Sequence, residues 1–184
     1  MKNIFPAIKL TVLCLIFFSI LYTLAILGIA QLSPNKGKGE IVEVNGKTIG
    51  FKKLGQSFTE DKYFWGRPSA VNYNAAGSCG SNKGTANPGY LEEVNIRIDS
   101  FLVHHPYLSK KDIPSEMVTA SGSGLDPDIS PDAALIQVKR IAKIRNISEE
   151  KLAALVNSFA TKPVLGTPTV NVLELNVALD KING

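Results

Sequence analysis

Few side chains in this sequence are spaced for chemistry. His104 and His105 are adjacent, and neighbours on a helix point about 100° apart, so they do not offer the i, i+4 pair of a helical metal site. They read instead as the polar end of a helix, where positive charge suits the dipole. The chain has 2 cysteines. Cys14 lies in an apolar run and Cys79 in a distant polar loop, which supplies neither a zinc thiolate set nor a disulfide framework. Asp126 to Asp132 imitates the start of a calcium loop, but Pro131 stands where the turn needs Gly, and Gln137 stands where the closing Glu belongs. No metal site is expected.

Thr119-Ala120-Ser121-Gly122-Ser123-Gly124-Leu125-Asp126 contains Gly-x-Gly without a third Gly or a Lys-Ser pair. Neither a dinucleotide nor a Walker fingerprint is met. A nucleophile at Ser121 or Ser123 would need a His and an acid brought to it, and Gly122-Ser123-Gly124 lacks the spacers of a nucleophile elbow. A stand-alone anchored hydrolase using Ser121, Ser123, His104 and His105 is therefore the second choice, and no catalytic residue is assigned. Trp65, the single tryptophan, stands beside Arg67 in Tyr63-Phe64-Trp65-Gly66-Arg67-Pro68-Ser69. Aromatics with Arg suit a buried contact patch, and three aromatics in a row equally suit core anchors.

The elements around these residues set their context. Between Lys9 and Lys36 no residue is charged, and Leu10 to Ala30 makes a helix of about 31 Å, the thickness of a bilayer's hydrocarbon. The run exceeds the apolar core of a cleavable signal, so it is read as an anchor although Gly28-Ile29-Ala30 resembles a cleavage site. Lys2 and Lys9 give a short basic head, which places the amino end in the cytoplasm and the body outside it.

Residues 31–39 are Pro, Gly and Lys rich and form a tether. Strands over residues 40–44 and 47–51 flank Asn45-Gly46, the pair that accepts positive φ in a type I′ hairpin turn. Residues 66–89 lack helical or strand period, and a long irregular loop of this kind is a candidate contact surface. Asn87-Pro88 opens a helix carrying Leu91, Val94, Ile98 and Phe101 or Leu102, ended by Pro106. Ser130-Pro131 opens a second helix with Ala134, Val138 and Ile141, running to Asn146. Ser148 opens a third, with Glu149 and Glu150 in its first turn and Leu152, Leu155, Val156 and Phe159 inward. The tail alternates like a strand from Leu173 to Leu179, yet Asn171 with Glu174 reads as a capping box, and helix is preferred.

The expected architecture is a single N-terminal transmembrane helix plus one small α/β (α+β) soluble domain with a β-hairpin or small sheet and three to four helices. Its boundaries are 1–9 for the basic flank, 10–30 for the membrane helix, 31–39 for the tether and 40–184 for the domain. A content of 45% hydrophobic and 20% charged residues excludes general disorder. The net charge of +4 sets 20 basic against 16 acidic residues, two of the former being Lys2 and Lys9. No basic stripe with interleaved aromatics accompanies it, which argues against nucleic acid as a partner.

Several stretches then fall together: Gly55-Gln56-Ser57-Phe58, Tyr63 to Ser69, Ser78 to Asn82, Thr119 to Pro127, Ile129-Ser130-Pro131, Val170 to Asn176 and Ala178-Leu179-Asp180. With the single N-terminal span they resemble, in order and along the whole chain, the C subunit of the potassium-transporting ATPase, the KdpC family. The resemblance implies an accessory subunit of a bacterial inner-membrane complex. In that complex a channel-like subunit binds and carries K⁺, and a P-type subunit hydrolyses ATP through its own phosphorylated Asp. It also implies a part in assembly and activity, with no tightly bound cofactor and ATP reached through the complex, and membrane lipid around the helix.

One proposed role in the family is a catalytic chaperone that raises ATP affinity through a segment likened to Leu-Ser-x-x-Gln. Here that segment is Ile147-Ser148-Glu149-Glu150-Lys151, which makes Ser148 and Lys151 the nucleotide-contact candidates, although two acids oppose a phosphate there. A rival role is a clamp over the channel subunit's outer mouth. For it the partner-contact candidates are Trp65, Arg67, Pro68, Ser69, Asn82, Ser121, Gly122, Ser123 and Gly124.

Overall fold

The apolar stretch from Leu10 to Ala30 is helical throughout in the computed structural model, which describes residues 3–182. The helix starts at Ile4, ahead of that stretch, and runs 27 residues to Ala30, roughly 40 Å and more than enough to cross a bilayer. It comprises α1 (Ile4–Leu15), a π-helical stretch (Ile16–Tyr22) and α2 (Thr23–Ala30). Thr23 Oγ1 donates to the carbonyl of Phe18 at 3.2 Å, five residues back, in keeping with the wider π register. A turn over Pro34–Gly37 follows, capped where the Ser33 hydroxyl accepts from the Gly37 N–H. The chain divides between Glu40 and Ile41 into two compact units, this helical one and the domain that follows.

The domain opens with the expected hairpin. β1 (Ile41–Val44) and β2 (Lys47–Phe51) pair antiparallel, and the turn between them puts Asn45 at φ 52° and Gly46 at φ 76°, the conformation that Asn-Gly adopts at low cost. A second strand pair was not anticipated. β3 (Asp128–Ile129) pairs antiparallel with β4 (Val170–Asn171), and two-residue strands carry no alternation to read. The domain is therefore α+β, with helices α3 (Pro88–His104), α4 (Pro131–Leu135), α5 (Val138–Arg145), α6 (Glu149–Phe159) and α7 (Val172–Ile182). Caps start α3, α4 and α6 as expected: Asn87, Ser130 and Ser148 each accept from the backbone N–H three residues on.

Two expectations change. The single helix foreseen from Ser130 to Asn146 is broken into α4 and α5, because the Tyr107 hydroxyl inserts into the helical ladder. It donates to the Ile136 carbonyl at 2.8 Å and accepts from the Arg140 N–H at 3.3 Å, replacing the direct i to i+4 bond. At the tail, Val170 and Asn171 are strand and Val172–Ile182 is helix. The Asn171 carbonyl oxygen of the side chain accepts from the Glu174 N–H at 3.0 Å, while the Glu174 carboxylate turns outward to Lys52 at 3.0 Å rather than closing a capping box.

The core lies among α3, α5, α6, α7 and the segment before the long loop, where Phe64, Phe101, Ile141, Leu152, Val156, Leu175 and Leu179 are buried. Phe64 and Trp65 sit in a stretch without regular structure and with no strand paired to it. Asn176 on α7 supplies both missing bonds to Phe64, accepting from its N–H and donating to its carbonyl at 2.9 Å each. Gln137 does the same for Trp65, at 2.8 and 3.2 Å. Arg140, 5% exposed, donates to the carbonyls of Asp61 and Tyr63, and Arg145 donates to that of Lys62.

His105 departs from its expected role as a charged helix end. It is fully buried, stacked on Phe101 at 4.0 Å. Its Nδ1 bonds the Phe101 carbonyl and its Nε2 accepts from Arg140 Nε at 2.9 Å. Burial, with the Arg140 charge adding to it, pushes its pKa down to about 4, so the ring is neutral and acts as an acceptor.

Asn176→Ala leaves a buried N–H and a buried carbonyl of Phe64 unpaired. It is expected to cost about 2–4 kcal/mol, read from denaturant unfolding of the full chain in detergent with Trp65 fluorescence; an unchanged midpoint would contradict the bonding described. Because His105 binds its proton more readily unfolded than folded, stability is complete above about pH 6.5 and falls as pH drops toward 4, by roughly 3 kcal/mol in all. His105→Gln should flatten that acid limb in the same unfolding series.

Candidate functional site

The structure brings the two irregular loops of the sequence together. The Ser121 N–H donates to the Pro68 carbonyl at 3.1 Å, the Ser69 hydroxyl donates to the Gly124 carbonyl at 2.7 Å, and the Ser78 hydroxyl donates to the Ser123 carbonyl at 2.9 Å. Ser69 Oγ also accepts from the N–H groups of Val71 and Tyr73, folding the first loop back on itself. Arg67 and Asp126 close one end of the seam with a 2.9 Å ion pair, each side chain less than a third exposed. Beside it the Tyr73 hydroxyl donates to the Arg67 carbonyl. Burial, and then the negative Asp126, push the Tyr73 pKa up to about 12, so the phenol stays a donor.

Two glycines permit this close approach. Gly124 has φ +68°, and a Cβ there would lie 2.6 Å from Val71 and 2.9 Å from the Cys79 carbonyl. A Cβ on Gly80 would stand 2.9 Å from the Gly122 carbonyl. Both backbones therefore run too near each other for side chains.

The candidates separate by place. Trp65, Arg67 and Pro68 line an open groove of about 400 Å³ together with Phe58, Ile96 and Ser100. Trp65 is half-buried; its indole N–H donates to the Glu60 carbonyl at 3.0 Å, and the Arg140 guanidinium lies 4.3 Å from its ring centre. It is a core anchor with one edge in the groove. Ser121, 3% exposed, and Gly124 are buried inside the seam, whereas Gly122, Ser123 and Asn82 are exposed and Ser69 is half-buried. Asn82 has φ 54°.

Ser148 and Lys151 lie elsewhere, at the start of α6. The Ser148 hydroxyl accepts from the Lys151 N–H at 3.3 Å, and Ser148 lines a separate cleft shared with α3 and α5. The histidines are engaged far from Ser121 and Ser123, since His104 Nδ1 meets Asp61 at 2.8 Å and both His105 nitrogens are occupied. The calcium-like acids serve the scaffold: Asp126 holds Arg67 and the Asp128 N–H, and Asp128 accepts from Asn171. Among the described residues no three of His, Cys, Asp and Glu gather as a metal set.

Sequence reasoning missed Gln137, Arg140 and Asn176. The signal was present for two of them: Gln137 falls at apolar-stripe spacing between Ala134 and Ile141, and Asn176 between Val172 and Leu179. A polar residue on a core stripe needs a buried partner.

A family model described as KdpC, K⁺-transporting ATPase, c chain, matches residues 4–181. The chain belongs to the KdpC family. Potassium-transporting ATPase KdpC subunits of Flavobacterium psychrophilum and Flavobacterium johnsoniae are each 63% identical to it, over 99% of this chain and the whole of each relative. That of Caldanaerobacter subterraneus is 43% identical over 97% of this chain and 94% of its own length. Family membership makes the chain a C-type subunit of a potassium-transporting ATPase. The apolar helix Ile4–Ala30 fits a single-pass membrane protein in such a complex.

The seam makes its own prediction. Gly124→Ala must displace Val71 or the Cys79 carbonyl and adopt a left-handed backbone, a cost of about 1–3 kcal/mol. Limited proteolysis should then cut within residues 70–87 faster than in the unaltered chain while the helical core stays resistant.

Proposed function

We propose that this chain is a non-catalytic accessory subunit that clamps an ATP-driven potassium uptake complex. Its helix sits among partner spans and lipid in the bacterial inner membrane, its amino end in the cytoplasm and its folded domain outside. The groove and the exposed rim of the loop seam meet the channel-like, potassium-binding subunit. Hydrolysis of ATP belongs to the P-type subunit, and this subunit favours nucleotide binding there by holding the assembly together.

One observation carries the reading. The histidines and Ser121 that the sequence offered are engaged within the scaffold, while hydrogen bonds fasten the polar Gly-rich loops into one surface with a groove holding Trp65, Arg67 and Pro68. A pre-organised surface loses little freedom on docking, which is what a permanent assembly contact uses. The basic head at Lys2 and Lys9 supports the orientation. At the Ser148 end, the hydroxyl is engaged as a helix cap and Glu149 and Glu150 fill the first turn, so ATP is expected to reach this subunit through the complex and not as a tightly held cofactor.

Reporter fusions after Gly184 test the orientation: a reporter active only outside the cytoplasm should work and one active only inside should not. Tagged chain should co-purify with a P-type ATPase and a polytopic subunit. Arg67→Glu, which reverses the charge beside the groove, should lower recovery of the polytopic subunit about tenfold. A chain that supports potassium uptake unaccompanied would overturn the proposal.

A further inference from the structure

The cleft lined by Ser148 has its own chemistry. It is an open cleft of about 1010 Å³ between the end of α3, α5 and the start of α6, and part of its lining is an aliphatic face. Val103 is 76% exposed and Ile144 50%, with Ile147 half-buried between the helices. Apolar side chains grouped in a concavity mark an interaction site more strongly than the same side chains scattered singly.

The rim carries Lys139 and Lys143, both exposed and one helical turn apart on α5. Like charges at that spacing oppose each other. The Lys139 ammonium lies 5.1 Å over the Tyr107 ring, an aromatic face and not a counter-ion. Of the two acids in the cleft, Asp61 is engaged with His104 at 2.8 Å and faces Arg140 at 3.5 Å. Glu149 sits in the first turn of α6, where the helix dipole already stabilises it. The two lysines therefore present open positive charge beside exposed apolar side chains.

We infer that this cleft docks an acidic segment of another subunit in the transport complex, a segment carrying an apolar anchor beside its Asp or Glu. The contact is additional to the groove at Trp65 and rests on the accessory-subunit reading. Charge decides the sign of the partner, and shape decides its class. A chain segment can lay alternating acidic and apolar side chains along the cleft, meeting the lysines and the Val103, Ile144 and Ile147 side chains at once. A segment with adjacent acid and apolar residues satisfies both halves of the cleft.

The test uses the full chain expressed with the rest of its complex in membranes, with a photoreactive benzoylphenylalanine at Ile144 and, separately, at Val103. The expected result is an adduct with a partner subunit, mapped by mass spectrometry to a segment containing Asp or Glu. Lys139→Glu with Lys143→Glu should cut its yield about tenfold, since like charges would then face each other. Lys162→Glu, on an exposed loop elsewhere, should leave it unchanged. Both cleft lysines are exposed, so the double variant should keep the unfolding midpoint of the parent chain. An intact co-purifying complex that yields no adduct from either position, an adduct only with lipid, or a yield indifferent to the reversal overturns the inference and leaves the accessory role standing. A chain that recovers no partner subunit at all overturns both.

Discussion

A buried backbone without a neighbouring strand is the constraint on which the domain depends. The stretch from Asp61 to Trp65 leaves a turn at Glu60–Tyr63 and enters the core at Phe64 without regular structure, and its peptide groups need partners that no sheet supplies. Side chains from α7, α5 and the cap of α5 take the place of the ladder: Asn176 brackets Phe64, Gln137 brackets Trp65, and Arg140 collects the carbonyls of Asp61 and Tyr63. Each amide presents a donor and an acceptor side by side, the same pattern as a neighbouring peptide. Through these bonds α5 and α7 are tied to one short segment, and the aromatic trio Tyr63-Phe64-Trp65 becomes the knot of the core.

The same knot explains an unusual electrostatic arrangement. Arg140 is nearly fully buried, and its pKa falls to about 10 mainly because burial disfavours the charge. A buried cation normally demands an anion. Here most of its fork is met by neutral acceptors, including the His105 ring and the Gln137 amide, and its face lies on Trp65. Only the half-exposed Asp61 carboxylate, at 3.5 Å, offers opposite charge. His105 has to remain neutral for Arg140 to donate to it, so the histidine's low affinity for protons is part of how the arginine is held.

Rigidity in the core reaches the surface through the chain itself. Trp65 leads directly into Gly66 and Arg67, and from there Ser69, Ser78 and the Arg67–Asp126 pair fasten the first loop to the second. A segment with little regular structure is thus held in one shape by side-chain-to-backbone bonds, and a surface of that kind can meet a partner without first being ordered. The cleft beside α5 differs in kind: exposed aliphatic side chains and two lysines, with helices for walls.

Local chemistry was enough to mark the membrane helix, the Asn45-Gly46 hairpin and the caps at Asn87, Ser130, Ser148 and Asn171, because each of those signals acts within a few residues of itself. Words spread along the chain also marked the KdpC family. The break at Ile136, the neutral state of His105, the seam between the loops and the cleft at Lys139 and Lys143 were decided only in three dimensions. Tyr107 reaches across to break a helix it does not belong to, and Gln137 and Asn176 bond partners 72 and 112 positions away. A polar residue in an apolar stripe shows that a partner must exist, but distance along the chain conceals which one; packing brings the two together, and the dry surroundings of the core then make that pairing obligatory.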